Sequence, residues 1–439
     1  MIYLLGQIIL KITNLNGWIR GNKMNYKTNY KRYLTAATLD NTANKIMSST
    51  FIVGYAIYLG LSDRIIGLYV VSKSIMCLIQ ILAASIFSKI GQSKKVTLGI
   101  YTLYRFFGSF PILIPFIAQD IGIRTLMFII SIFFYEIFGQ IGYTPLVNWR
   151  MSILKEEDRA KFYATKNLIQ NTLVMAVSLG AGILLDKYTQ SGNEFKGFTI
   201  LFSIIVAINI IDIYLRAKTY KPEIKENKVN IKETLKEPLK DKKFRKILVF
   251  TALYTLSLNI GIQYLSLFQL KYLGISYTYA SVLNVIMALI NASFGIVWAK
   301  VYNKKGWKYL IIPMLVTYIL MFVLLSNTNT KNIFILLIAF VLYGIGESAY
   351  GLFDHNVIYE TAQEKYKTVY LSVNKTVCGV ISILVPIITS NIMGDENNVN
   401  NIRIVFGISI ILFIFTMLYY RFKMIKNKNY NESEQLNVG

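Results

Sequence analysis

Four ionisable residues, Lys73, Arg105, Glu136 and Glu347, stand near the middle of long apolar stretches. A charge at the centre of a membrane helix costs about 2.5 to 3.5 kcal/mol even on insertion scales, so such residues face a bundle interior and have a partner or a task. For the two carboxylates that task is carrying a proton, because desolvation can bring a carboxyl's proton affinity into the neutral range. For the two cations it is contact with a solute. Structural neutralisation is the competing reading, for instance Arg105 with Glu136 on neighbouring segments.

Polar residues around these charges fall on single helical faces. Asn41, Asn44, Lys45 and Ser48 follow i, i+3, i+4, i+7 spacing. Glu136, Gln140, Tyr143 and Thr144 form a second stripe, Thr255, Asn259, Gln263 and Ser266 a third, and Tyr343, Glu347, Tyr350 and Asp354 a fourth. Inside hydrocarbon each of these groups needs a partner or water. Other polar residues read as structural. Asp40 caps a helix start; Asp212 and Arg216 form a local i, i+4 surface pair; His355 is interfacial or packed; Lys45 and Lys375 snorkel toward the headgroups. Cys77 and Cys378 are far apart, have no metal or redox spacing, and pack as small apolar residues. No cofactor and no metal is expected.

The elements that must hold these residues are membrane-spanning helices. Of 439 residues 54% are hydrophobic and 16% charged, and mean hydropathy is +0.46. Twelve apolar blocks lie near 34–60, 65–87, 96–118, 124–147, 166–186, 197–216, 247–269, 278–300, 308–326, 332–356, 369–392 and 403–421. Each approaches the roughly 20 residues that cross about 30 Å of hydrocarbon. The expected fold is all-α and integral to the membrane, with twelve transmembrane helices in two pseudo-symmetric six-helix bundles.

Charge orients the blocks. With the N-terminus inside, 36 of the 47 Lys and Arg fall in cytoplasmic segments, 7 in outer loops and 4 within spans, which places both termini in the cytoplasm of a plasma-membrane protein. The net charge of +24 then reads as a topology signal and an affinity for anionic headgroups; spread over loops, it does not form a nucleic-acid face. The first 23 residues lack a small-residue cleavage pattern; they read as an interfacial helix, or as an extension upstream of a start at Met24.

Duplication is written into the chain. Tyr58-Leu59-Gly60-Leu61-Ser62 returns 214 positions later as Tyr272-Leu273-Gly274-Ile275-Ser276. The expected organisation is an N-terminal cytoplasmic segment 1–33, a bundle 34–216, a basic linker 217–246, a second bundle 247–421 and a tail 422–439.

Two loops share a further pattern, Ala84, Ser88, Lys89, Gly91, Lys94 and Ala299, Asn303, Lys304, Gly306, Lys308. Trp149 is followed by Glu156, Glu157, Arg159, Phe162, Tyr163 and Asn167, and Tyr370 and Asn374 echo the last two. In this two-times-six layout the chain resembles the major facilitator superfamily over about residues 30–422. The resemblance implies that spans one, four, seven and ten line a central cavity, and these are the four striped spans. It implies a gating role for Ser88, Gly91, Lys94, Asn303, Gly306 and Lys308, with Ser88 and Asn303 as neutral helix cappers where the family has Asp. Gly180, Ala181 and Gly182 lack the Pro of the drug and proton antiporters, which disfavours that subclass.

The function expected is secondary active transport of a small solute by alternating access, with a proton ahead of sodium as the coupling ion and a monomer in the bilayer as the working form. A non-transporting sensor of the same fold is the alternative, and a polytopic membrane enzyme a more distant one, since one histidine and two separated cysteines supply no catalytic cluster. ATP drive is disfavoured because the chain has no Gly-rich phosphate loop. The orientation is directly testable. In a background with Cys77→Ser and Cys378→Ser, a membrane-impermeant thiol reagent on intact cells labels Ser191→Cys and spares Lys228→Cys; the reverse pattern overturns the assignment.

Overall fold

The computed structural model describes residues 26–47, 50–67, 69, 93–154, 156–221, 238–361, 367–393 and 398–425. The long helices among them are α1 Tyr26–Met47, α2 Thr50–Tyr58, α3 Lys94–Ser109, α4 Ile121–Ile153, α5 Glu156–Gln190, α6 Glu194–Lys218, α7 Lys242–Ile262, α8 Tyr277–Lys305, α9 Lys308–Ser326, α10 Ile335–Thr361, α11 Lys367–Met393 and α12 Val399–Tyr419. Ten stretches among the described residues are long and apolar enough to cross a membrane. They correspond to the third to twelfth blocks. The first block is covered by α1 and α2, and most of the second lies outside the described residues.

Four helix starts, those of α3, α4, α7 and α12, follow a polar residue that caps them. The N–H of Val96 donates to Ser93, that of Ile123 to Asp120 at 2.9 Å, those of Lys243 and Phe244 to Asp241 at 2.8 and 3.2 Å, and that of Asn400 to Asn398 at 2.9 Å. Each side chain satisfies donors that the first turn leaves open. Pro111 converts the end of α3 into a 3-10 turn, Phe110–Leu113, and the Tyr55 hydroxyl donates to the Pro111 carbonyl at 2.7 Å.

The chain divides into two compact units, one of Met1–Lys228 with Ser276–Ser281, the other of Val229–Ile275 with Val282–Gly439. In the first, α1 packs on α5 and α6, and α3 packs on α4 and α6. In the second, α7 packs on α11 and α12, and α9 packs on α10 and α12. The pairing scheme is the same in both.

The repeated five-residue phrase is a helix stop. Gly60 has φ +81° and Gly274 φ +61°, the left-handed region that glycine enters at little cost. At the first copy Leu61 N–H donates to Ala56 O at 3.1 Å and Gly60 N–H to Ile57 O at 2.9 Å, the paired bonds of a Schellman end. At the second, the wider turn Phe268–Tyr272 precedes the glycine, and Ile275 N–H reaches back to Gln269 O at 3.1 Å.

Glycine chemistry therefore predicts opposite signs at two open sites. A Cβ at Gly274 meets nothing within 4 Å, so Gly274→Ala carries only the left-handed penalty and destabilises by about 1–2 kcal/mol. Gly295, inside α8 and equally open, gains about 0.5–1 kcal/mol on Gly295→Ala. Thermal unfolding in detergent separates the two; shifts of the same sign refute the account.

Candidate functional site

Among the described residues of the first unit, two acids and two bases form a closed ring. Arg105 of α3 pairs with Asp40 of α1 and, at 3.3 Å, with Asp212 of α6. Arg216, one turn beyond Asp212, pairs with Asp212 at 2.9 Å and with Asp40 at 3.0 Å. Exposure is 3% for Arg105, 2% for Arg216, 0% for Asp212 and 19% for Asp40. The charges balance, and every acid touches two guanidiniums. Tyr101 sits inside the ring, accepting from Arg105 Nη2 at 2.6 Å and donating to Asp212. Both guanidiniums lie over tyrosine faces, Arg105 at 4.8 Å from Tyr104 and Arg216 at 4.5 Å from Tyr101, contacts that strengthen where water is absent.

Three sequence readings are corrected here. Asp40 is not a helix cap, because α1 begins fourteen residues earlier, at Tyr26, and carries Asp40 in its interior. Asp212 and Arg216 are not a surface pair: they are buried, because α1 and α3 close over that face of α6. Arg105 is neutralised by Asp40 and Asp212 rather than by Glu136. Its Nη1 also donates to Asn44 Oδ1 at 2.8 Å, so all three guanidinium nitrogens are engaged.

Asn44 ties this ring to a tyrosine pair. Its Oδ1 accepts from Tyr104 at 2.8 Å and from Tyr135 at 3.2 Å, and the two rings stack at 4.7 Å. Glu136, half-buried on α4, acts electrostatically on Tyr69, Tyr104 and Tyr135. Gln140, one turn further along, is also half-buried. Lys73 lies outside the described residues, as does the side chain of Lys45.

The second unit holds its mid-span acid differently. Glu347 of α10 accepts from the Tyr318 hydroxyl of α9 at 2.9 Å, and Tyr318 accepts from Tyr254 of α7 at 2.8 Å. Tyr350, stacked on Tyr254 at 4.0 Å, donates to Asp354 at 3.3 Å. Lys375, expected to snorkel, is half exposed and pairs with Asp354 at 2.5 Å.

Asn259 and Gln263 are used elsewhere. Asn259 donates to Ser382 at 2.8 Å and Gln263 to Thr389 at 2.7 Å, both on α11, while Thr251 meets Asn374 at 2.5 Å. The stripe on α7 is thus a seam against α11.

Of the loop residues, Ser88 and Gly91 lie outside the described residues. The residue that caps α3 is Ser93. Asn303 stands in the last turn of α8, and α9 begins after Trp307 with no side-chain cap, so Asn303 does not cap. Gly306 has φ +81°, as its turn requires. Lys94 Nζ donates to Ala217 O at 2.6 Å, closing the carbonyl end of α6, and Lys308 is exposed. Trp149 is buried and its indole N–H donates to Tyr220 O at 2.9 Å. A groove of about 360 Å³ is lined mostly by apolar residues, Phe106, Phe110, Ile112, Leu113 and Val206, with Ser109 and Ser203, and includes none of these groups.

The residues missed by sequence reasoning are Tyr101, Tyr104, Tyr254 and Tyr318. One signal was available: the 214-residue offset of the repeated phrase also relates Tyr104 to Tyr318.

A sequence model described as the Major Facilitator Superfamily matches residues 34–386. No curated protein matches the chain. Among solved structures, a mutant form of nucleoside transporter NupG aligns with a TM-score of 0.71 at 14% identity, covering 89% of this chain and 100% of its own. A D-xylose-proton symporter aligns at 0.67 and 15% identity, covering 90% and 97%. A bacterial homologue of iron transporter ferroportin, in an inward-facing state, aligns at 0.66 and 10% identity, again covering 90% and 97%. At these identities the likeness is one of fold.

The ring predicts non-additive stability. Asp212→Leu or Arg216→Met alone strands a buried charge and costs about 3 to 5 kcal/mol. Together they leave Asp40 and Arg105 balanced and recover at least half of that cost. Unfolding in detergent measures it; additive losses contradict a closed ring.

Proposed function

We propose that this chain, which belongs to the Major Facilitator Superfamily, moves a small polar solute across the cell membrane by alternating access, with Glu347 or Glu136 carrying a coupling proton. Membership of the family makes it a secondary transporter and a multi-pass membrane protein, and the ten apolar helical stretches supply spans. Two units with the same internal pairing of helices are the parts that rocking about a shared site requires. We place both termini and the linker 217–246 in the cytoplasm on the Lys and Arg bias, and take the working form to be a monomer.

The observation that carries the proton assignment is the difference between the acids. Asp212 is wholly buried and shared by two guanidiniums, and its protonation would leave the ring with excess positive charge. Glu136 and Glu347 are half-buried at mid-span. A carrier must meet water in one state and be shielded in another, and half-burial at that depth suits both. The same comparison narrows the solute contacts. Arg105 positions α1 against α3 and α6, Asn44 is held by Arg105, Tyr104, Tyr135 and Asp40, and Asn259 and Gln263 hold α11, which leaves Gln140, Glu136 and Glu347 as first candidates; Lys45 and Lys73 keep the solute-contact reading drawn from their place in the sequence.

Similar folds are described as a nucleoside transporter and a D-xylose-proton symporter, and amide and carboxyl side chains such as those of Gln140, Glu136 and Glu347 suit such neutral hydroxylated solutes. The test is uptake of labelled nucleosides and pentoses into liposomes containing the purified chain, under an imposed pH gradient. Glu136→Gln and Glu347→Gln are compared singly. At least one abolishes gradient-driven accumulation by tenfold or more and keeps counterflow exchange. Undiminished accumulation in both removes the acids as carriers.

A further inference from the structure

The two units carry tyrosines at matched positions that end on different acceptors. The offset of 214 that relates Gly60 to Gly274 relates Tyr104 of α3 to Tyr318 of α9, and Asp40 of α1 to Tyr254 of α7. In the first unit Tyr104 donates to the amide of Asn44 at 2.8 Å. In the second, Tyr318 donates to a carboxylate, Glu347 Oε2, at 2.9 Å, and where the first unit has the acid Asp40 the second has the phenol Tyr254, whose hydroxyl donates to Tyr318 at 2.8 Å.

This chain is held on every side. Tyr254 and Tyr318 are 1% and 0% exposed. Tyr318 stacks on Phe413 of α12 at 5.2 Å with the planes 1° apart, and Tyr254 stacks on Tyr350 at 4.0 Å. Gly346, beside Glu347, makes the space for the Tyr318 ring: a Cβ there would lie 2.9 Å from Tyr318 Cε2. Among the described residues, Glu347 acts electrostatically on Tyr254 from α7, Tyr318 from α9, and Tyr343 and Tyr350 from α10 itself. Asp354 lies beyond Tyr350, paired with Lys375 of α11.

Hydroxyl chemistry gives the chain a direction. An ionised carboxylate only accepts, and each phenol has one proton, so Tyr254 must donate to Tyr318 and Tyr318 to Glu347. A protonated Glu347 brings a donor of its own and competes with the Tyr318 proton. The hydrogen bond therefore favours the ionised acid.

We propose that Tyr318, oriented by Tyr254, is a positioning residue that fixes the Glu347 carboxylate and sets the pH range over which it exchanges its proton. This rests on the reading of Glu347 as a proton carrier. The probe is the proton itself: infrared titration of the carboxyl stretch in the purified full chain, with Glu347→Gln subtracted to isolate the Glu347 band. Tyr318→Phe keeps the ring and its packing, shifts the band of the protonated acid, and moves its midpoint up by about one pH unit. Tyr254→Phe moves the midpoint the same way by less. It also decides the matter alone if Tyr318→Phe fails to fold. An unchanged band and midpoint in Tyr318→Phe, or in Tyr254→Phe where that variant decides, overturns the positioning role and leaves the carrier reading standing. No titrating band in the Glu347→Gln difference between about pH 4 and 10 removes the carrier reading, and the proposal with it.

Discussion

The ring of Asp40, Arg105, Asp212 and Arg216 is the interaction on which the first unit depends. Four charges in an apolar bundle are tolerable only if each is met, since an unpaired ion there costs more than any helix contact returns. The ring meets that condition by drawing on α1, α3 and α6 together. None of these helices can shift by a turn without stranding a charge. The same geometry removes Arg105 from the list of groups that could greet a solute, because Asp40, Asp212, Asn44 and Tyr101 already take its donors.

The second unit solves the same problem with neutral groups. Thr251 with Asn374 and Asn259 with Ser382 are separated by 123 residues in each case. A constant offset two turns apart means that α7 and α11 run in the same direction, as two odd-numbered spans should. At the end of α7 the register slips by three, to Gln263 with Thr389 at 126, where the helix gives way to a turn after Ile262. Hydroxyls and amides cost less to bury than ions and bind neighbouring helices in hydrocarbon. One unit is therefore clasped by charge and the other by a polar seam, and the mid-span acids Glu136 and Glu347 fall outside both devices.

Much of the fold was legible because membrane spans obey a length rule and hydropathy reports it. The repeated Tyr-Leu-Gly phrase was legible as duplication, and its glycines turned out to be helix ends with positive φ. The site was legible only in part. Periodicity puts Asn44, Asn259 and Glu347 on polar faces, but a face does not say what stands opposite. Asn259 looked like cavity lining until Ser382 appeared across from it. Asp212 and Arg216 looked local because their i, i+4 spacing explains itself, and nothing in one helix announces that Asp40 and Arg105 will close over it. Tyrosine is the hardest residue to read: in an apolar chain it serves at the interface, in the core and in hydrogen-bond chains alike, so Tyr104 and Tyr318 stand out only once the 214-residue offset is applied.

The central claim is a division of labour between acids that hold the fold and acids that exchange protons. Asp40→Asn and Glu347→Gln compared in one preparation test it most directly, with unfolding in detergent and gradient-driven solute accumulation in liposomes measured on each. The account predicts that Asp40→Asn lowers the unfolding temperature by several degrees and leaves accumulation per folded molecule within about twofold, while Glu347→Gln leaves unfolding unchanged and lowers gradient-driven accumulation. An Asp40→Asn protein that unfolds like the parent and no longer responds to the pH gradient would contradict it.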